Sequence, residues 1–124
     1  MVGYLILSGQ ASLASLRDIT LNSGESCQIY YGAQRYSSIV SLRGDGGGLH
    51  NFLFVSGYGV STIRNNVTFV SKNHIKLYTD NTSPTTLYVT NTGSARQKMS
   101  ILNLIGGGTI EYISSIPSTA EEMT

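Results

Sequence analysis

Few residues in this chain have side chains suited to catalysis. Hydrolysis by paired carboxylates needs two acids held at a set distance. The candidate acids Asp18, Asp45, Asp80 and Glu111 are widely spaced and belong to no recognisable motif. The sequence therefore predicts that the protein is not an enzyme and has no catalytic residues. A small glycosidase that uses Asp80 or Glu111 remains a minor alternative.

Metal binding has equally little support in the sequence. His50 and His74 are the two histidines, and neither has another ligand residue at a spacing typical of metal sites. Cys27, the single cysteine, lies in SCQIYYG and is predicted to be a small buried hydrophobic residue. A site built from these three residues would require the fold to bring separate segments together. We expect no metal and no cofactor.

A glycine-rich stretch at residues 43–48 invites comparison with phosphate-binding loops. A P-loop needs Gly-Lys-Ser/Thr running into a helix, whereas here an apolar strand-like segment follows at residues 49–55. The same stretch contains Arg43-Gly44-Asp45, the tripeptide read by integrins, but so short a match is common by chance. We interpret the stretch as a turn.

Tyrosine is the most informative residue type. The chain contains eight tyrosines and no tryptophan, and several tyrosines fall on polar faces or in turns beside Asn, Ser and Thr. Exposed tyrosine offers an apolar ring with a hydrogen-bonding edge, which suits sugar rings as well as protein interfaces. Ordinary half-buried tyrosines of a sandwich are the alternative. The predicted ligand-binding residues are Tyr36, Tyr58, Tyr78, Tyr88, Asp80 and Asn81.

The clearest structural element is a β-hairpin at residues 73–91. Ile75 and Leu77 alternate with polar residues before the turn, and Leu87 and Val89 alternate with polar residues after it. Side chains of a strand point to opposite faces in turn. The pattern therefore predicts an aliphatic inner face, with Tyr78 and Tyr88 on the outer face, opposed directly or diagonally.

Further strand patterns recur about every ten residues, separated by glycine-marked turns. They are predicted at residues 3–7, 26–31, 37–43, 49–55, 67–70, 97–104 and 109–113, while residues 11–16 could form one helical turn. This spacing is typical of an all-β, antiparallel β-sandwich or jelly roll of about eight to ten short strands. We predict one domain at residues 1–116, followed by a polar C-terminal tail at 117–124.

Composition excludes some partners. Charged residues make up 12% of the chain, and its formal net charge is +1 with scattered Lys and Arg. No basic patch for nucleic acid or anionic lipid is apparent, and no apolar run is long enough to span a membrane. The sequence predicts no nucleic-acid partner and no membrane insertion. A nearly neutral surface favours an oligomer or a larger assembly.

The segment HIKLYTDNTSPTTLYVTNTG at residues 74–93 resembles the distal receptor-binding domains of bacteriophage tail fibres and tail spikes. The later strand at residues 98–104 and the polar C-terminus add to this resemblance. It implies a homotrimer at the end of a fibre on the virion, or otherwise an extracellular protein, that binds a host cell-surface polysaccharide. It transfers no individual binding residue.

The alternative is a structural or trimerisation module of a viral particle or appendage, without a ligand of its own. The candidate edge segments 3–7 and 109–113 contain one charged residue, Glu111, and no proline. Edge strands with so little protection tend to pair with other chains. This argument predicts an oligomer and would permit a dimer, while the three-fold symmetry follows from the resemblance alone.

Overall fold

The structure is a computed structural model that describes residues 5–7, 10–12, 15–32, 35–44, 50–58, 62–71, 73–106 and 108–124. In these residues the chain forms twelve strands and one short 3₁₀-helix, Ile63–Asn66. The strands are β1 (Leu5–Leu7), β2 (Gln10–Ser12), β3 (Ser15–Leu21), β4 (Ser26–Tyr31), β5 (Arg35–Gly44), β6 (His50–Tyr58), β7 (Val67–Ser71), β8 (Ile75–Asp80), β9 (Ser83–Asn91), β10 (Gln97–Ile105), β11 (Gly108–Ile113) and β12 (Ala120–Glu122). Most of the predicted glycine-rich turn, residues 45–48, lies outside the described residues.

The long strands form two antiparallel five-stranded sheets. Sheet 1 has the order β3-β10-β5-β6-β7, and sheet 2 has the order β11-β4-β9-β8-β12. Among the described residues, strands β1 and β2 form a separate two-stranded sheet. Buried residues of both sheets belong to one hydrophobic core. The all-β sandwich predicted from the strand spacing is confirmed.

Alternation along the strands explains how the core forms. In β5, every second residue from Tyr36 to Leu42 is buried, and in sheet 2 Leu77 and Leu87 are completely enclosed. Side chains on the two inner faces interdigitate in a layer about 10 Å thick. Full burial of one such leucine contributes about 2 kcal/mol.

The predicted hairpin is present as β8 and β9. Leu77 pairs with Val89, and Tyr78 lies directly opposite Tyr88. Both aliphatic residues point into the core. The register inferred from the alternation is therefore confirmed, and it places the two tyrosines on the outer face of sheet 2.

The segment predicted to be a polar tail differs from that expectation. Strand β12 pairs with β8 at the edge of sheet 2, Met123 joins the core, and the Met123 amide donates to the Leu77 carbonyl over 2.7 Å. Strands β11 and β12 occupy opposite edges of sheet 2. Because sheet 1 covers the inner face of sheet 2, residues 114–119, which connect these two strands, cross the outer face of sheet 2. A three-residue strand shows no periodicity in a sequence.

The helical turn predicted for residues 11–16 is also wrong. Its described residues belong to β2 and β3. Strand β3 pairs with β10 over seven residues, from Gln97 opposite Leu21 to Asn103 opposite Ser15. Sheet pairing of this length overrides the weak local helix preference of alanine and leucine.

One buried amide connects the two sheets where β9 leaves sheet 2 and the chain enters β10. Asn91 is completely enclosed. Its Nδ2 donates to the carbonyls of Leu21 at 3.0 Å and Ala95 at 2.9 Å. Its Oδ1 accepts from the Gly93 amide and from Gln97 Nε2, both at 2.9 Å. We call this group the Asn91 corner.

The Asn91 corner joins three passages of the chain between the sheets. The Asn91 main chain accepts from Gly24 and donates to Glu25, in the link between β3 and β4. The His74 carbonyl, in the link between β7 and β8, accepts from the Thr92 amide and from Gln97 Nε2. The corner therefore fixes one end of the sandwich.

We predict that Asn91→Ala lowers the free energy of unfolding by about 3 kcal/mol, because it leaves several buried donors and acceptors without partners. Urea denaturation followed by circular dichroism would measure the loss. Asn65→Ala is the control, since Asn65 is exposed and, among the described residues, its side-chain amide donates to Thr62 Oγ1 alone. A loss no larger than that of the control would show that the corner does not hold the sheets.

Candidate ligand-binding site

A cavity of about 460 Å³ opens on the outer face of sheet 1, where β5 begins and β6 and β10 end. The Asn91 corner lies at the opposite end of these strands. At the corner, Gln97 of β10 pairs with Gly44 of β5, whereas at the cavity Ile105 of β10 pairs with Ser37 of β5. The cavity is lined by Arg35, Tyr36, Ser37, Ser56, Gly57, Tyr58 and Ile105. It therefore combines aromatic, hydroxyl, cationic and aliphatic groups.

An arginine and a tyrosine form the most prominent pair in this cavity. Arg35 and Tyr58 are directly opposite each other in the β5–β6 register, and the guanidinium carbon lies 5.1 Å from the centre of the tyrosine ring. Tyr58 is 68% exposed. A cation over an aromatic face is held by the ring's quadrupole, so the pair forms an ordered surface facing solvent.

Tyr36 also lines the cavity, and its buried ring packs on the core side of the sheet against Tyr31, with ring centres 5.2 Å apart. Tyr36 lies opposite Gly57, where an added Cβ would fall 2.4 Å from the tyrosine oxygen. Only glycine leaves room for this ring. Burial raises the pKa of Tyr31 to about 12, so its hydroxyl stays protonated at neutral pH.

Two serines and an isoleucine complete the lining. Ser37 and Ser56 face each other across β5 and β6. A register shift in β10 between Asn103 and Ile105 sets Ile105 opposite Ser37, and Ile105 is exposed. The cavity thus places two hydroxyl-bearing side chains beside an apolar residue.

The sequence predictions for Tyr36 and Tyr58 need correction. Tyr58 lies at the end of β6 rather than in a turn, and its exposure agrees with the predicted binding role without testing it. Tyr36 was expected on a polar face or in a turn, but it lies in β5 and is buried. Alternation places Tyr36 inward between the outward-facing Arg35 and Ser37.

The predicted outer tyrosine surface on sheet 2 is largely covered. Tyr88 is only 4% exposed, and Tyr78 is half-buried. Tyr88 lies in β9, the central strand of sheet 2. Its side chain is on the outer face, which residues 114–119 cross. The prediction that both tyrosines stand exposed is therefore wrong.

Asp80 is buried and engaged in structural bonds. Its Oδ1 accepts from the Thr82 amide at 2.8 Å and the Thr82 hydroxyl at 2.7 Å, and its Oδ2 accepts from the Thr119 hydroxyl at 2.5 Å. Hydrogen bonds from Thr119 and then from Thr82 lower the pKa of Asp80. Asp80 therefore joins the hairpin turn to the C-terminal segment, while its neighbour Asn81 is exposed.

The six predicted ligand residues do not form one site. Tyr36 and Tyr58 belong to sheet 1, and the other four belong to β8, β9 and the turn between them on sheet 2. Sequence reasoning missed Arg35, Ser37, Ser56 and Ile105. The alternation in β5 indicates that Arg35 and Ser37 point outward, but only the pairing of β5 with β6 places them beside Tyr58.

Other chemistry has little support in the structure. Cys27 is fully buried as predicted, and burial raises the pKa of its thiol to about 12, so the reactive thiolate is absent at neutral pH. In the described part of the chain, no group of three His, Cys, Asp or Glu residues could hold a metal ion. The same residues contain no helix long and apolar enough to cross a membrane.

No protein-family model, curated protein or solved structure matches this chain. The fold and the cavity therefore define its class without a relative: an all-β sandwich with an open aromatic and cationic cavity at one end.

We predict that Asp80→Asn lowers the melting temperature at pH 7, and that the gap to the wild type closes in acid. Folding lowers the pKa of Asp80. The stability that the Asp80 carboxylate contributes is therefore complete above the pKa of aspartate in the unfolded chain, about 3.9, and is lost as the pH falls through the lower pKa of Asp80 in the folded protein. Melting curves from pH 7 to pH 2 measure this effect. Asn81→Ala, in the same turn, should give a small shift without pH dependence, and a constant gap for Asp80→Asn would contradict the prediction.

Proposed function

We propose that this chain is a non-enzymatic carbohydrate-binding domain that recognises a cell-surface polysaccharide through the cavity around Tyr58. The observation that carries the proposal is the exposed Tyr58 ring in a cavity also lined by Ser37 and Ser56. A sugar ring has apolar C–H faces and hydroxyl edges. An aromatic ring with nearby hydrogen-bonding groups complements both features.

The size and lining of the cavity support binding rather than turnover. A volume of about 460 Å³ lies within the range of small-molecule sites, roughly 300–1,000 Å³. Among the described residues that line it there is no carboxylate, histidine or cysteine. The groups needed to cleave a glycosidic bond by paired acids are not provided there.

An open cavity of this kind binds weakly by itself, so useful affinity requires several copies. Linked sites raise the effective concentration of a repeating polysaccharide and increase avidity by orders of magnitude. This requirement is compatible with a homotrimer at the tip of a phage tail fibre or spike on the virion. That setting remains a prediction from the resemblance of residues 74–93.

A second candidate function, a structural module, is favoured by the outer face of sheet 1. The register places Leu16 of β3, Leu102 of β10, Ile39 of β5 and Phe54 of β6 side by side. Leu16 is 59% exposed and Phe54 is 46% exposed. We call these four residues the apolar stripe. Contiguous exposed apolar surface on a soluble domain often marks an interaction site.

The partner we propose for the apolar stripe is another copy of the same chain. The face that bears the stripe also carries Asp18, Lys98 and Arg43, so charges of both signs are available for a contact between copies. The neighbouring edge strand β7, VTFVS, contains no charged residue or proline, and so lacks the usual protection of an edge. The cavity begins two residues from Ile39, so both functions could coexist.

The proposed function predicts that Tyr58→Ala abolishes binding on a glycan array at millimolar sugar, because the stacking surface is lost. Tyr30→Ala is the control, since Tyr30 is an exposed tyrosine on sheet 2 and is not among the residues that line the cavity. The variants should have equal oligomeric masses. Equal loss of binding in both, or no glycan binding by the wild-type assembly, would contradict the proposal.

The apolar stripe predicts an assembly heavier than one chain of 13.3 kDa in light scattering, and the resemblance of residues 74–93 predicts that it contains three chains. Phe54→Ser should lower that mass, because it places a hydroxyl in the contact. Tyr30→Ala, which alters a side chain of similar exposure on the other sheet, should leave the mass unchanged. A wild-type mass of one chain up to high micromolar concentration would exclude the interface.

A further inference from the structure

We infer that the cavity selects acidic glycans, and that Arg35 binds a sugar carboxylate such as that of a uronic or sialic acid. This inference rests on the proposed function and names the class of sugar that the same site takes. A neutral glycan would need only the ring of Tyr58 and nearby hydroxyls. The cavity adds a guanidinium, which a neutral ligand would leave without a counter-charge.

Within the residues that the structure describes, no carboxylate neutralises Arg35 in the cavity. Arg35 is exposed, its guanidinium lies over the Tyr58 ring, and no carboxylate is among the described lining residues. Two carboxylates of the chain's C-terminal segment pair with other cations, Glu121 with Arg64 and Glu122 with Lys76. The positive charge of Arg35 is therefore available to a ligand.

Other acids of the chain are also engaged elsewhere. Asp18 accepts a hydrogen bond from Ser100, Glu111 accepts one from Gln28, and Asp80 is held by two threonines. In the sequence, Asp45 follows Gly44, which is the last residue of β5, whereas Arg35 is the first residue of β5. Gly44 is nine positions after Arg35 in this extended strand, so the two main-chain positions are about 30 Å apart.

A guanidinium held beside a tyrosine ring is well suited to a carboxylate. Its planar N–H groups match a carboxylate with two parallel hydrogen bonds. The contact with Tyr58 restricts the long side chain before a ligand arrives, which reduces the entropy lost on binding. Arg35 is therefore a partly preorganised receptor for a carboxylate.

The remaining groups of the cavity are arranged to complement an acidic sugar. Arg35 and Tyr58 form one cross-strand pair, and Ser37 and Ser56 form the next pair on the same face. A carboxylate at Arg35 places the attached sugar ring beside Tyr58, where its hydroxyls meet the two serines. Charge, ring face and hydroxyls of an acidic sugar thus each have a complementary group.

The test is calorimetric titration of the assembled wild-type protein with matched pairs of sugars. The pairs are glucose with glucuronate, galactose with galacturonate, and the methyl ester of N-acetylneuraminic acid with the free acid. At low salt we expect at least one acid to bind about tenfold more tightly than its neutral partner, the range of a charge-assisted hydrogen-bonded pair. The preference should shrink in 1 M NaCl.

Two arginine variants locate the preference. Arg35→Gln should abolish it while leaving binding of the neutral sugar, and Arg35→Lys should restore little of it, because lysine lacks the planar fork. Arg43→Gln is the matched control, since Arg43 is exposed and lies on the same face of the same strand, eight residues away. Arg43→Gln should retain the full preference.

The outcomes separate this inference from the proposed function. Equal binding of acids and neutral sugars, or equal loss of the preference in Arg35→Gln and Arg43→Gln, overturns the inference and leaves carbohydrate binding intact. Equal binding of glucose 6-sulfate and glucuronate overturns the assignment to a carboxylate. If the wild type binds no sugar, and Tyr58→Ala gives the same titration as the wild type, the proposed function and the inference are both overturned.

Discussion

The buried amide of Asn91 is the interaction on which the rest of this sandwich depends. A primary amide can donate twice and accept twice, and here all four positions are used between segments of both sheets. A buried group satisfied in this way specifies one arrangement of the chain, because any other leaves it unpaired. Three passages between the sheets are thereby fixed at one end, and the relative position of the sheets follows.

With that end fixed, the site at the other end can be built on strands. Arg35 and Tyr58 face each other because β5 and β6 pair residue by residue from that end to the other. Tyr36 occupies the space that Gly57 leaves and supports the cavity from the core. Groups on paired strands are held more precisely than groups on loops. The ordered placement of a cation, a ring and two hydroxyls is thus a result of sheet register.

The sequence was sufficient for the sandwich and for the hairpin, because period-2 alternation records which face of a strand is buried. It was insufficient for Tyr88, since alternation shows the face but not what covers it. The segment that crosses this face leads into β12, whose three residues are too short for a pattern. Arg35 was missed for a related reason: its partners come from a strand more than twenty positions later, and only the register of β5 with β6 reveals them.

We propose that glycans bind at the cavity of sheet 1 and not on the tyrosine face of sheet 2. Backbone amide shifts of the labelled protein, recorded by NMR during titration with an acidic oligosaccharide, would test it most directly. The account predicts shifts concentrated at Arg35, Ser37, Gly57 and Tyr58, with little change at the Asn91 corner. Shifts concentrated at Tyr78 and Asn81 instead would contradict it.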